Sequence, residues 1–471
     1  MILPPATEAQ NLTPSSEGYE KSRLRYVNGR VPNNKPAEIF SPITTVEVAE
    51  KVRSAAARGL KLGVRSGGHL FPCSSLLGGG LLIDTHHLNK DFGYDPVTKI
   101  ISFGPGGTVK EVARNLLAIN RFFPHGHCSS VGAGGFYLAG GQGCFIRGWG
   151  LSCVWVTQIE VVTAKGEVVI ANRDQNADLF WAAPGSGQGF FGVLTRIWAR
   201  TIPASKLFDT TIILDATDEF DKILKWAFKT GDKVPKYGTD VTYTSAYSDR
   251  DAPDGGELSQ TNRRLFIVNV AVYSDTIDQA KVVTSPFDVI PDDIKSHVAM
   301  AIPLGQRTWE EMWTVQDSVA PYGNGERYRV DNILIGPDTP FDEIIDRIKP
   351  ALYDLPTRLS CMAVYALDCS PDESEQAASL PQKYCVTTLA CWKDPTQDKA
   401  MDRRMQAIFA EAEKASTGSY VADFDITQRV TKIMTDTALT KWLEIRQKWD
   451  PEESFIGYRG FVKTLGHKPR I

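Results

Sequence analysis

The chain has 471 residues and a net charge of −4, with 42% hydrophobic and 23% charged residues. At about 150 residues per domain, this length predicts two or three domains with sizeable cores. The mild acidity argues against a nucleic-acid or anionic-membrane partner. No apolar run reaches the ~18 residues of a membrane span. The opening Met1-Ile-Leu-Pro-Pro has no basic n-region or long apolar stretch, so a cytoplasmic protein is expected, although a mature secreted form would read the same way.

In chain order, Thr44-Thr-Val-Glu47 is a capping box that opens a helix to about Arg58, with Val48, Ala49, Val52 and Ala56 on one face. Lys61–Arg65, Gly80–Asp84 and Lys99–Gly104 read as strands. Thr108–Glu111 is a second capping box, for a helix to about Ile119. From 128 to 150 no period survives, and a glycine-rich loop is expected. Gln158–Ala164 and Glu167–Ala171 alternate around Lys165-Gly166, a hairpin. Phe191–Trp198 is a further strand, and Pro203 closes this half. Beyond 205 the glycine density falls. Strands are expected at Asp209–Leu214, Leu265–Tyr273 and Tyr384–Trp392, with helices at about Glu219–Thr230, Phe341–Leu352 and Ala438–Lys448. The predicted fold class is α+β, with an antiparallel sheet carrying helices on one face in the second half.

The glycines crowd between residues 63 and 192, where they suit backbone that touches a ligand. In Arg65-Ser66-Gly67-Gly68-His69-Leu70, a glycine pair at a strand end points N–H groups at an anion such as a pyrophosphate. Gly132, Gly134, Gly135, Gly140, Gly141 and Gly143 suit close contact with a large flat cofactor. A nicotinamide Rossmann fingerprint fails here, because Tyr137 stands where its third glycine is required. Eight cysteines without a CxxC are too sparse for a disulfide framework. No metal site is expected, since His125, His127 and Cys128 lack further ligands at a structural spacing.

Four motifs follow one another in order. They are Arg65-Ser-Gly-Gly-His69; Cys128-x-x-Val131-Gly-x-Gly-Gly135; Gly140-Gly-x-Gly143 with Gly150-Leu151; and Asp178-Leu-Phe-Trp-Ala182 with Gly185-x-Gly-x-Gly189. Together they resemble the FAD-binding domain of the vanillyl-alcohol-oxidase superfamily, within it the berberine-bridge-enzyme-like family. The terminal Trp449-Asp-Pro-x-x-x-Phe455 is similar to that family's closing turn. The resemblance implies a PCMH-type FAD-binding domain over residues 1–203, a substrate domain over 204–420 and a C-terminal segment, 421–471, that returns to the first. It also implies FAD bonded covalently to His69 through the flavin 8α-methyl and to Cys128 through C6, with Val131 at the oxygen gate and Val156 in the cofactor wall. The chemistry implied is hydride transfer from an organic alcohol, phenol or secondary metabolite to flavin N5, with O2 reoxidising the flavin to give H2O2. The assembly expected is a monomer or homodimer.

The departures concern the proton acceptor. Many members carry a catalytic tyrosine in a Tyr-x-Asn-Tyr-x-Asp segment; here the segment is Tyr420-Val-Ala-Asp-Phe-Asp425, and Phe424 cannot accept a proton. Asp423 is the leading candidate base if burial raises its pKa, with Tyr365, Tyr384 and Tyr420 as alternatives. Val154-Trp155 stands where relatives show Asp-Asn. Three rival readings remain open: a flavin dehydrogenase with a non-oxygen acceptor, a non-redox flavoprotein cyclase, and a nucleotide-binding scaffold without catalysis.

Overall fold

The computed structural model describes residues 7–250, 263–425, 428–455 and 457. The first half holds a four-stranded sheet, a five-stranded sheet and a two-stranded pairing of Arg121–Phe122 with Ile202–Pro203. In the four-stranded one the order is Gln10–Leu12, Glu38–Ser41, Leu81–Asp84, Leu62–Arg65, and the last three run parallel. The helix Thr45–Ala57 joins two of these strands. Thr44 caps it by accepting from the Glu47 N–H while Glu47 reaches back, as its sequence predicts. Its buried face is Val48, Ala49, Val52 and Ala55; Ala56, expected there, is exposed.

The five-stranded sheet is antiparallel, in the order Phe92–Asp95, Ile100–Phe103, Gly192–Arg200, Val156–Thr163, Val168–Asn172. The hairpin at Gly166 is formed, with φ of +73° at that glycine. The stretch expected to be a plain loop carries two short helices, Ala133–Leu138 and Ile146–Trp149. Each is under two turns, too short to register as a 3.6-residue period.

Seven antiparallel strands make up the second half, in the order Val298–Arg307, Lys206–Asp215, Arg264–Ser274, Thr239–Tyr247, Cys361–Cys369, Gln382–Trp392, Arg327–Ile335. The helices Phe220–Gly231, Phe341–Tyr353 and Asp398–Ala412 pack on one face. Strands alternate sides residue by residue. Met362, Val364 and Ala366 therefore enter the core under the helices, whereas Ala363, Tyr365 and Leu367 face the other way, towards the first half.

An aromatic cluster seals the junction of the halves, with Phe122 and Phe145 from the first against Tyr273 and Trp309 from the second. The Phe122 and Tyr273 rings stand 4.6 Å apart. The chain end returns to the first half: the Leu62 N–H donates to Ser454 O at 2.8 Å, and the buried Asp450 carboxylate accepts from the N–H groups of Ser454 and Phe455.

Candidate active site

A cavity of about 320 Å³ lies between the glycine loops of the first half and the bare face of the seven-stranded sheet. At one end, residues 66–70 follow the strand Leu62–Arg65 and line it. None of the backbone N–H groups of Ser66, Gly67, Gly68, His69 and Leu70 donates to another described residue. A row of unspent donors on a cavity wall is an anion cradle. The second loop packs on the first so closely that a Cβ on Gly132 would stand 2.2 Å from Ser66 Oγ and 2.6 Å from Gly67 N. Beside them Gly135 has no atom within 4 Å of where a Cβ would be, leaving open space on the cavity side. Gly132→Ala is expected to push the loops apart and give protein with little visible flavin absorbance per chain.

His69 and Cys128 both line this cavity. His69 Nε2 pairs with Ser130 Oγ at 2.9 Å, which leaves Nδ1 as the second ring nitrogen. Burial pulls the imidazole pKa down to about 4, so at neutral pH the ring is uncharged and keeps a lone pair. Burial, then the Asp423 charge, pushes the Cys128 thiol up to about 11. Helix Trp309–Val319 lies over the Cys128 loop, with Gln316 Nε2 3.9 Å from Cys128 Sγ and Ser129 Oγ donating to Asp317 at 2.7 Å. This helix was not foreseen, although Thr308 and Glu311 form the same kind of capping box that marked the first two.

Asp423 lines the same cavity, near enough to Cys128 for its charge to act on the thiol. Its carboxylate makes no hydrogen bond or ion pair to a described residue, and burial alone raises its pKa to about 6. Its position depends on Asn332, which is fully buried on the sheet. Asn332 Nδ2 donates to Tyr420 O at 2.9 Å and to Asp423 O at 2.8 Å, and its Oδ1 accepts from Tyr420 N at 2.7 Å. Phe424 turns into the core, with the Arg429 guanidinium 5.3 Å from its ring centroid. Tyr365 lines the cavity, its ring 5.3 Å from that of His127. Tyr420 also lines it, its hydroxyl accepting from Gln142 N at 3.3 Å.

Several expected site residues are elsewhere. Tyr384 shares the face of Val386 on its strand, stacks on Phe228 under the helices and donates to Asp232 at 2.7 Å; strand parity rules it out as a base. Arg65 does not offer its guanidinium to the cavity, because it donates to Asp84 at 2.6 Å and to Ser22 O at 2.8 Å. Gly140, Gly141 and Gly143 serve loop packing: a Cβ would meet Ala378 at 3.1 Å, Ser152 at 2.8 Å and Ser152 Oγ at 2.5 Å, respectively. Gly150 and Leu151 line a separate pocket of about 180 Å³ with Cys153 and Cys369, and Val156 a third. His125 is core, its ring edge-on to Trp309 at 4.6 Å. Conversely, Gln142, Gln188, Phe190, Gly192 and Leu194 line the main cavity without having been singled out.

The donor cradle, the space at Gly135 and the uncharged His69 fit a dinucleotide bearing a flat ring. Comparison with known proteins names it. Residues 36–172 match the family described as FAD binding domain. The FAD-linked oxidoreductase janO of Penicillium janthinellum is 27% identical over 94% of this chain and 95% of its own length. Xylooligosaccharide oxidase of Thermothelomyces thermophilus is 36% identical over 38% of this chain and 36% of its own. Among solved structures, Physcomitrella patens BBE-like 1 superposes with a TM-score of 0.79 at 19% identity, covering 95% of each chain. The protein is an FAD-dependent oxidoreductase. Its fold is that of the berberine-bridge-enzyme-like flavoproteins.

Proposed function

We propose that this protein is an oxidase holding FAD through two covalent bonds, at His69 and Cys128, and oxidising a small organic alcohol, phenol or secondary metabolite with dioxygen as the electron acceptor and hydrogen peroxide as the by-product. The observation that carries this reading is one cavity lined by a neutral imidazole, a thiol and a carboxylate without a partner among the described residues. Bound FAD supplies the hydride acceptor. The 66–70 loop holds the pyrophosphate through its free N–H groups. Asp423 accepts the proton of the substrate hydroxyl as the neighbouring carbon gives up hydride, a task suited to a base with a pKa of about 6. Leu389, Leu367, Ala363 and Tyr365 supply apolar wall over the reacting carbon and exclude water. Val131, small and in the glycine-loop wall of the cavity, leaves a path for dioxygen.

Intact mass of the denatured protein tests the tethers. One FAD above the chain mass, mapped to a cross-link between the His69 and Cys128 peptides, is the expected result. A bare chain mass from yellow native protein overturns covalent attachment. Anaerobic reduction by substrate followed by air tests the acceptor: rapid reoxidation with one peroxide per flavin is expected of an oxidase.

A further inference from the structure

Next to Cys128 the structure holds a charge pair that the hydride-transfer reading does not use. His127 lines the cavity with Cys128, and its Nε2 lies 3.0 Å from the Oδ2 of Asp240. Asp240 is on the strand Thr239–Tyr247, its side chain 8% exposed, and its other oxygen accepts from Phe145 N at 2.8 Å. Cys144 completes the group, with one donor atom from each of the three residues within 4.8 Å of the others. The Asp240 carboxylate thereby holds the Nε2 edge of the imidazole. Cys144, then Asp240, raises its pKa well above 6.5 against the effect of burial, a shift that favours the charged form of the imidazole.

We infer that His127, held by Asp240, is the group that promotes bonding of Cys128 to the flavin, by stabilising the thiolate in the cavity wall. This rests on the two-tether reading above. The nucleophile in such a bond is the thiolate. Burial opposes the thiolate, as do Asp423 and Asp317, while the Gln316 amide and the His127 charge favour it. His127 is the one cation among these influences. The step balances as an addition followed by oxidation. The Cys128 S–C6 bond forms, the thiol hydrogen and the C6 hydrogen leave the reacting atoms, and their two protons and two electrons end on dioxygen as hydrogen peroxide. His127 takes no proton in this step; it is a positioning residue that acts through charge.

The test follows attachment rather than turnover. Wild type, His127→Gln and Asp240→Asn are expressed with riboflavin in excess, and flavin-linked peptides are quantified by mass spectrometry after incubation at several pH values in air. In both variants flavin is expected to remain on the His69 peptide, with cross-linking to the Cys128 peptide at least about tenfold slower at pH 7, one pKa unit of thiolate. Raising the pH should restore the rate, since the thiolate then forms without help; loss of folding alone would not be reversed in this way. Cross-linking at the wild-type rate in either yellow, folded variant overturns the role of His127. Wild-type protein with flavin on His69 alone overturns the two-tether reading itself, and with it this inference.

Discussion

Asp423→Asn is expected to lower kcat by about 10²–10⁴-fold, the usual contribution of a positioned general base, with flavin content unchanged. The wild-type rate should rise with pH through about 6 and level off, because only the carboxylate can accept the substrate proton and burial has moved its titration there. In the variant that step should vanish from the profile. A second readout separates a functional carboxylate from a structural one. A carboxyl whose pKa is higher folded than unfolded destabilises the fold once ionised, so its cost is present above about pH 6 and fades as pH falls towards the unfolded value. The isosteric amide removes that cost. The variant should therefore melt higher than wild type at pH 7.5, with the gap closing near pH 4. A large loss of activity with a gain in stability is what a buried, unpartnered catalytic charge produces. An unchanged kcat with a persistent pH step would remove Asp423 from the mechanism.

Asp84→Asn is expected to cost about 3–5 kcal/mol, the range for breaking one side of a buried ion pair. Asp84 ends the central parallel strand and receives Arg65 at 2.6 Å, their side chains 4% and 1% exposed, with Arg25 on its other oxygen. The charge of Arg65, then that of Arg25, holds the carboxyl well below its ordinary range despite burial. A carboxylate with a depressed folded pKa contributes stability above its unfolded value, about 3.9, and loses it as pH falls towards the folded one. The wild-type advantage should accordingly be full at pH 7 and shrink steadily below pH 4. Thermal unfolding across that range checks it; a constant gap would mean that the pair contributes packing rather than charge. Since Arg65 leads directly into the 66–70 cradle, flavin retention should weaken along with stability.

Much of this site was legible because its parts are local. A glycine pair after a strand, or His69 and Cys128 within glycine-rich loops, is a short-range pattern whose chemistry depends on the neighbouring backbone. The capping boxes at Thr44 and Thr108 are likewise complete within four residues. The terminal Asp450 turn announced itself for the same reason. Phe424 in place of a tyrosine directed attention to Asp423, and the carboxylate does line the cavity.

Other features depend on pairings that no local pattern encodes. Tyr384 and Tyr365 both sit on alternating strands, and only the register Tyr365 to Cys385, Ala366 to Tyr384 decides which face each one takes. Arg65 looks like an anion ligand until Asp84, nineteen residues on, arrives in the adjacent strand and engages its guanidinium. Asn332 is ordinary in sequence and becomes the clamp of the 420–423 turn only when strand Arg327–Ile335 comes to lie beside it. His127 meets Asp240 across 113 residues. The sequence by itself determined the cofactor class and the two-part α+β plan, because those follow from backbone conformation and chain-local chemistry. The tertiary structure alone decided which carboxylate is buried without a partner among the described residues and which imidazole faces a carboxylate, because charge state depends on burial and on partners brought from distant strands.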